Sequence, residues 1–176
     1  MKQLDSIAVS QSTMFTWRLG VKPSPEKPRY IIVGFQTGKD ANQTQNPSLF
    51  DHANLTNMCV MLNSARHPEI DYNASLPKHH FARLYGDAAS FRSKFYHIGK
   101  LAFNPNIKPL NCKSLYPMFV FYVNKQSERL KTQVTGTQVK ASFNVNVPAN
   151  TQAYAVVISD RLINFESNGK AMTVVI

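Results

Sequence analysis

Five histidines and two cysteines are the residues of this 176-residue sequence best suited to ligate a metal or to act in catalysis. His79 and His80 are adjacent, so on a helix their side chains point about 100° apart and do not share a metal as residues four apart do. No carboxylate stands at ligand spacing beside them. We therefore expect a solvated helix start here rather than a metal site.

Two short segments combine a histidine with a carboxylate, Asp51-His52 and His67-Pro68-Glu69. General acid and base catalysis needs such groups positioned together in a cleft, which adjacency in a loop does not provide. The sequence also lacks a nucleophile elbow, a phosphate-binding glycine loop and a zinc-protease motif. The sequence therefore predicts no enzyme activity, no cofactor, no metal site and no small-molecule substrate.

The two cysteines, Cys59 and Cys112, are too few for a disulfide framework and too far apart in sequence for a zinc or redox pair. Lys113 beside Cys112 favours a thiolate, but no histidine is close in sequence, so we interpret Cys112 as structural. No apolar stretch is long enough for a signal peptide or a membrane span. We expect a soluble chain in a reducing compartment, the cytoplasm or nucleus, that is not secreted and has no membrane partner.

The net charge is +10, from 20 Lys and Arg against 10 Asp and Glu. Such an excess raises nucleic acid as a partner. The basic residues are scattered through loops and one helical segment, without a run of five or six. We therefore expect weak, sequence-independent and salt-dependent contact with DNA rather than a dedicated groove.

Alternation of apolar and polar side chains predicts about eight strands in two groups. The clearest case is "QVKASFNVNV", residues 138–147, in which every second side chain is apolar. The predicted strands are residues 14–20, 29–36 and 54–64, followed by 115–124, 133–145, 151–159, 161–167 and 171–176. Turn residues at short intervals and the absence of βαβ alternation indicate one antiparallel two-layer sandwich, either a Greek key or a jelly roll.

One segment between the two groups has the helical period. Its apolar residues recur three and four apart, at Phe81, Leu84, Tyr85, Ala88, Phe91, Phe95 and Ile98. Pro77 suits the first turn and Gly99 the end of such a helix. The pattern predicts an amphipathic helix near residues 77–97, laid on the sandwich.

The stretch "AYAVVI", residues 153–158, is apolar on both faces, although only one face of a sandwich sheet meets the core. By volume, the set Tyr154, Val156 and Ile158 fits the core. Ala153, Ala155 and Val157 then form the outer face and are candidates for a subunit interface. The second face is covered either by the helix and long loops or by a neighbouring subunit.

Lys125, Arg129 and Lys131 lie in the charged segment "NKQSERLKT" between two predicted strands. Two interpretations remain open for this segment, a solvated hairpin loop and a salt-bridged contact with a neighbour. We include the three residues among the candidates for a subunit interface.

Four long segments, in the order in which they occur, resemble the C-terminal jelly roll of double jelly-roll major capsid proteins. The segments are "FTWRLGVKPSPEKPRYIIVGFQT", "NPSLFDHANLTNMCVMLNS", "LYPMFVFYVNKQSERLKT" and "NVPANTQAYAVVISDRLINFESNGKAMTVVI". These proteins are of the type found in Polinton/Maverick elements and adintoviruses. The resemblance extends from about Phe15 to Ile176. It implies residues 1–14 as an N-terminal arm and 15–176 as a single all-β domain, an antiparallel eight-stranded jelly-roll sandwich with one inserted amphipathic helix.

The resemblance further implies a structural capsid subunit without enzyme activity, located in a virion or the host cytoplasm or nucleus. Its partners would be copies of itself and a companion jelly roll in a trimeric capsomer, around double-stranded DNA. The family chain carries two jelly rolls, whereas this chain has room for one, so it is a fragment, a domesticated copy or a separately encoded half. The alternative function is a stand-alone binding module of lectin-like or cytokine-like type, which would need a ligand groove.

Overall fold

The computed structural model of the chain describes most of the sequence. The described residues are 2–20, 27–39, 42–63, 65–97, 107–123, 136–160, 164–167 and 172–175. They form ten strands and two helices. The strands are β1 (Lys2–Ala8), β2 (Met14–Arg18), β3 (Lys27–Thr37), β4 (Leu55–Leu62), β5 (Ala65–His67), β6 (Phe119–Tyr122), β7 (Thr137–Phe143), β8 (Thr151–Asp160), β9 (Asn164–Ser167) and β10 (Met172–Val175). The helices are α1 (Ala82–Tyr96) and α2 (Pro109–Ser114).

Eight of the strands form two four-stranded antiparallel sheets. The first has the order β1-β8-β3-β6 and the second the order β2-β7-β4-β5. Successive strands alternate between the sheets except at the β4–β5 hairpin, which is the connectivity of a jelly roll. The predicted all-β jelly-roll sandwich is therefore confirmed.

The composition of these eight strands differs from the sequence prediction at both ends of the chain. Residues 2–8, placed in an N-terminal arm, form β1 and pair with β8 along their whole length. The predicted strands 161–167 and 171–176 instead contribute the separate two-stranded ribbon β9–β10. Strand β1 has no apolar alternation because it is an edge strand that leaves Leu4 and Ser6 exposed, so its sequence lacks the signal of a half-buried strand.

The helical insertion also differs in detail. Helix α1 begins at Ala82 rather than near Pro77, because residues 75–80 close a turn in which the Ser75 and His80 backbones bond each other. The helix ends at His97, whose φ of 53° is a left-handed C-cap conformation. Helix α2, a second and shorter helix in the same insertion, was not predicted from the sequence.

The core between the sheets contains the alternate residues of both sheets. Strand β8 contributes Ala153, Ala155 and Val157 to this core, all at most 1% exposed. The predicted assignment of the two faces of β8 is therefore reversed. Ala153 lies opposite Phe35 in the neighbouring strand β3, and the Phe35 ring centroid lies 5.5 Å from that of Phe143 in the other sheet. The core is filled by these large rings, so β8 provides the small residues that make room for them.

This reversal bears on the candidate subunit interface. The side chains of Ala153, Ala155 and Val157 are enclosed by the chain's own two sheets. Lys125, Arg129 and Lys131, the other candidates, lie outside the described residues.

Helix α1 covers much of the outer face of the first sheet. Tyr30 on β3 is buried there, and its ring centroid lies 5.0 Å from Phe91 and 5.9 Å from Phe95 on the helix. Ile158 and Val120 belong to the same cluster. The three and four spacing that predicted the helix thus provides the apolar stripe that covers the second face of β8.

A loop covers the outer face further along the same sheet. Gly34, opposite Tyr154 in the register, lies under the ring of Phe50, where a Cβ atom would come within 2.6 Å of that ring. The Phe50 backbone N–H donates to the Leu115 carbonyl at 2.9 Å. Glycine at position 34 therefore allows the loop to close down on the strand.

We predict that Ala155→Leu destabilises the fold by about 1–3 kcal/mol, because the added methylenes overfill a closed core. Ala8→Leu is the matched control, since Ala8 is exposed on β1 and should change stability by less than about 0.5 kcal/mol. Urea unfolding of both variants measures the difference. If Ala155→Leu leaves the free energy of unfolding unchanged, Ala155 does not lie in the closed core, and the outer face is its position.

We also predict that Phe91→Ala lowers stability by about 2 kcal/mol, less than the roughly 3–5 kcal/mol of a fully buried ring. The Phe91 ring is half-buried and packs on Tyr30. Leu110→Ala on α2 removes an exposed apolar side chain and serves as the control. Equal midpoints of urea unfolding for the two variants would mean that α1 does not stabilise the sheet.

Candidate functional site

The described residues form an open cleft of about 440 Å³ at one end of the sandwich. It lies between the turn after Phe50 and the C-terminal end of α2. Its walls are Thr37, Phe50, Asp51, His52, Ala53, Asn54, Lys113, Ser114 and Pro148. The contact of Phe50 with Leu115 joins the two sides of the cleft.

Asp51 is fully engaged with β3 rather than with its histidine neighbour. The Thr37 backbone N–H donates to Asp51 Oδ2 at 2.8 Å. The Lys39 ammonium lies 3.3 Å from the same oxygen and also donates to the Leu49 carbonyl at 2.6 Å. Asp51 thus fixes the loop to the sheet, and its charge is balanced by Lys39.

His52 has a defined tautomer. The Asn54 backbone N–H donates to His52 Nδ1 at 3.0 Å, so the proton of the neutral ring is on Nε2. Burial lowers the pKa of His52, and the nearby charge of Lys113 lowers it further, against a smaller opposite effect of Asp51. His52 is therefore a neutral donor at pH 7 in an environment of positive potential. Asp51 and His52 do not form the acid and base pair that their adjacency suggests.

Lys113 is held at the other wall of the cleft by the turn that precedes α1. Its ammonium donates to the Pro77 carbonyl at 3.3 Å and lies 3.4 Å from His79 Nε2. His79 has a φ of 62°, in the left-handed region. The sequence pattern missed this arrangement, because the two residues are 34 positions apart.

Backbone strain is concentrated beside His52. Ala53 and Asn54 have φ angles of 48° and 54°, so two consecutive residues occupy the left-handed region. Asparagine tolerates this region, but alanine adopts it only at a cost of about 1 kcal/mol or more. The strained turn is what places the His52 ring and the Asn54 N–H within bonding distance.

His67 lies in a second, smaller hollow of about 130 Å³ between α1 and the first sheet. Burial lowers the pKa of His67, and its Nε2 has no hydrogen-bond partner among the described residues. In the same hollow the Tyr72 hydroxyl donates to Asp87 at 2.8 Å, and the Arg83 guanidinium lies 5.3 Å from the Tyr72 ring. Glu69 is exposed and affects His67 only through its charge. The pair His67 and Glu69 is therefore not positioned in one cleft.

The described residues contain no cluster of three or more histidine, cysteine or acidic side chains that could hold a metal ion. Both cysteines are buried as free thiols, and burial raises the pKa of Cys112. This keeps Cys112 in the neutral thiol form, in agreement with its interpretation as structural. No helix in the described ranges has the length and apolar character to cross a membrane.

Three exposed apolar side chains lie on β1 and β2, the edge strands on one side of the sandwich. By register, Leu4 lies on the outer face of the first sheet, Met14 on the outer face of the second sheet, and Ile7 on the side of the core. Leu4 is 71% exposed, Met14 is 73% exposed and Ile7 is 39% exposed. The two edges are joined by Gly20, whose N–H donates to Asp5 Oδ2 at 2.8 Å. We call these three residues, together with the edge of β1 that pairs with no other described strand, the open side. The sequence pattern did not reveal it, because β1 itself was not predicted.

The sequence profile of the double jelly roll-like domain family matches residues 4–163. The match starts within β1 and ends after β8, so it includes most of β1, the other seven strands of the sandwich and both helices. Comparison with curated proteins finds no match. Comparison with solved structures finds none either. On the family match and the observed topology, the chain belongs to the double jelly roll-like domain family.

Proposed function

We propose that the chain is a structural capsid-type subunit, or a domesticated copy of one, that associates with copies of itself and has no enzyme activity. Membership of the double jelly roll-like domain family is the observation that carries this proposal. The resemblance of its motifs to Polinton and adintovirus capsid proteins supports the finer assignment. A virion, or the cytoplasm or nucleus of a host cell, is the proposed location.

The open side is the surface on which we place the contact with a second copy. Helix α1 and Phe50 already cover much of the outer face of the first sheet, so that part of the sheet needs no partner. At the open side, by contrast, β1 pairs only with β8 among the described strands. An unpaired edge offers backbone donors and acceptors to a further strand.

A second copy is the occupant that fits the chemistry of this edge. Asp5 would meet its own like charge if two β1 strands paired antiparallel with Asp5 at the centre. A pairing centred on Leu4 instead places Leu4 beside Leu4 and Gln3 beside Asp5, with all side chains on matching faces. Three apolar side chains bury too little for a stable interface of about 800 Å² per partner, so further contacts around β2 must contribute.

We predict that the protein self-associates and that Leu4→Asp combined with Met14→Asp shifts it toward the monomer by at least tenfold in Kd. Each carboxylate would introduce an unpaired charge beside the edge strand that carries it, where a second copy would pack. Sedimentation equilibrium over a range of concentrations measures the Kd. The melting temperature should stay nearly unchanged, because both side chains are exposed in the single chain.

Ile70→Asp is the control, since Ile70 is 67% exposed but lies in the loop after β5, away from the open side. It adds the charge of one carboxylate and should leave the Kd unchanged. An unmutated protein that stays monomeric at high concentration would refute self-association of this chain on its own. Equal weakening by Ile70→Asp would move the contact away from the open side.

A further inference from the structure

We propose that the cleft between the turn after Phe50 and α2 binds a phosphate group, held by the Lys113 ammonium and by the His52 Nε2–H. This inference is independent of self-association, because the cleft and the open side use different residues. It rests on the presence of two donor side chains, Lys113 and His52, among the residues that line the cleft, and on the balance of charge around them.

The Lys113 ammonium has one more N–H donor than it has described partners. An ammonium group carries three N–H donors, and the described partners of Lys113 are the Pro77 carbonyl and His79 Nε2. One N–H therefore has no partner among the described residues, and the Lys113 side chain lines the cleft. The two existing contacts also hold the ammonium in place, which reduces the entropy lost when a ligand binds.

His52 supplies a second donor. Its Nδ1 accepts from the Asn54 N–H, which leaves Nε2 as the donor of the neutral ring. Lys113 and His52 repel each other when both are charged, and this repulsion helps to lower the pKa of His52. A phosphate between the two groups would replace the repulsion by two charge-assisted hydrogen bonds.

The one carboxylate in the cleft does not oppose an anion strongly. Asp51 accepts from the Thr37 N–H and is paired with the Lys39 ammonium, so its charge is locally balanced. The strained turn at Ala53 and Asn54 adds a separate argument. Strained backbone of this kind persists at binding sites, where it holds a side chain in a set position.

The phosphate has two sources with the same chemistry, the free ion and the backbone of a nucleic acid. The described residues 78–97 and 107–113 hold six Lys or Arg residues and a single Asp. Such a field raises the local concentration of any polyanion near the cleft. A nucleic-acid backbone would therefore reach Lys113 and His52 more readily than the free ion would.

The first experiment follows the ring signals of the histidines by NMR during a pH titration, with and without inorganic phosphate. About 20 mM phosphate saturates a site of millimolar Kd, and sodium chloride at equal ionic strength is the reference. The pKa of His52 should rise by about one pH unit with phosphate, because a bound anion stabilises the imidazolium. The pKa of His67, outside the cleft, should stay where it is.

Two variants make the result specific. Lys113→Gln should raise the pKa of His52 without phosphate, since a repelling charge is removed, and should abolish the further rise with phosphate. Lys140→Gln removes the same charge from the exposed face of β7 and should change neither value. An unchanged pKa of His52 with phosphate, or an equal rise for every histidine, would overturn the site. His52→Gln, tested by calorimetry with phosphate, should lose binding even if Lys113→Gln fails to fold.

A short DNA duplex distinguishes the two sources. If the backbone is the source, DNA should bind weakly, and Lys113→Gln should reduce the slope of log K against log salt by about 1. Lys140→Gln should reduce it less. If Lys113→Gln does not change the salt dependence of DNA binding, but phosphate still raises the pKa of His52, the free ion is the ligand of the site. Absence of both effects would refute the proposal.

Discussion

The fold depends on one constraint, that the sheet β1-β8-β3-β6 is apolar on both faces at its centre. Strands β3 and β8 pair along nearly their whole length, and each alternates between two sets of buried or half-buried apolar side chains. One set meets the second sheet, and the other would meet water in a plain sandwich. The insertion between β5 and β6 resolves this, because α1 lays Phe91 and Phe95 on Tyr30. The helix is thus a third layer of the domain.

The sequence predicted those parts of the fold whose signal is local. Alternation located β2, β3, β4, β6, β7 and β8, and the helical period located α1 to within five residues at its start. Strand β1 was not predicted, because an edge strand needs no alternation of apolar and polar side chains. The two faces of β8 were exchanged because residue volume alone does not say where a small residue is needed. Ala153 is small because Phe35 lies beside it, and that register is a property of the paired strands.

In the candidate site, too, the sequence indicates neighbouring residues but not the contacts between distant ones. The sequence singled out Asp51-His52, and the structure does place both residues in a cleft, but for a reason the adjacency did not indicate. Asp51 accepts a hydrogen bond from Thr37 on β3, while His52 accepts one from Asn54 and lines the same cleft as Lys113, more than 60 residues away. A pattern of spacing detects groups that one helix or strand brings together. It does not detect groups that meet because α2 is folded back against a loop.

The chain's own helix α1 and Phe50 cover much of the outer apolar face of the first sheet, and this limits the surfaces through which the domain can contact other molecules. The apolar surface that α1 and Phe50 cover is no longer available to a neighbour, so the exposed apolar residues considered for assembly lie at the strand edge, at Leu4 and Met14. The cleft, in contrast, is lined by the cationic side chain of Lys113 and by His52 as well as by apolar residues. The two surfaces respond oppositely to salt, because excluded salts such as sulfate strengthen apolar contact whereas any added salt screens a charged one. The proposed association through the open side and the proposed contact with phosphate at the cleft should therefore be separable by ionic conditions alone, in a single unmutated protein.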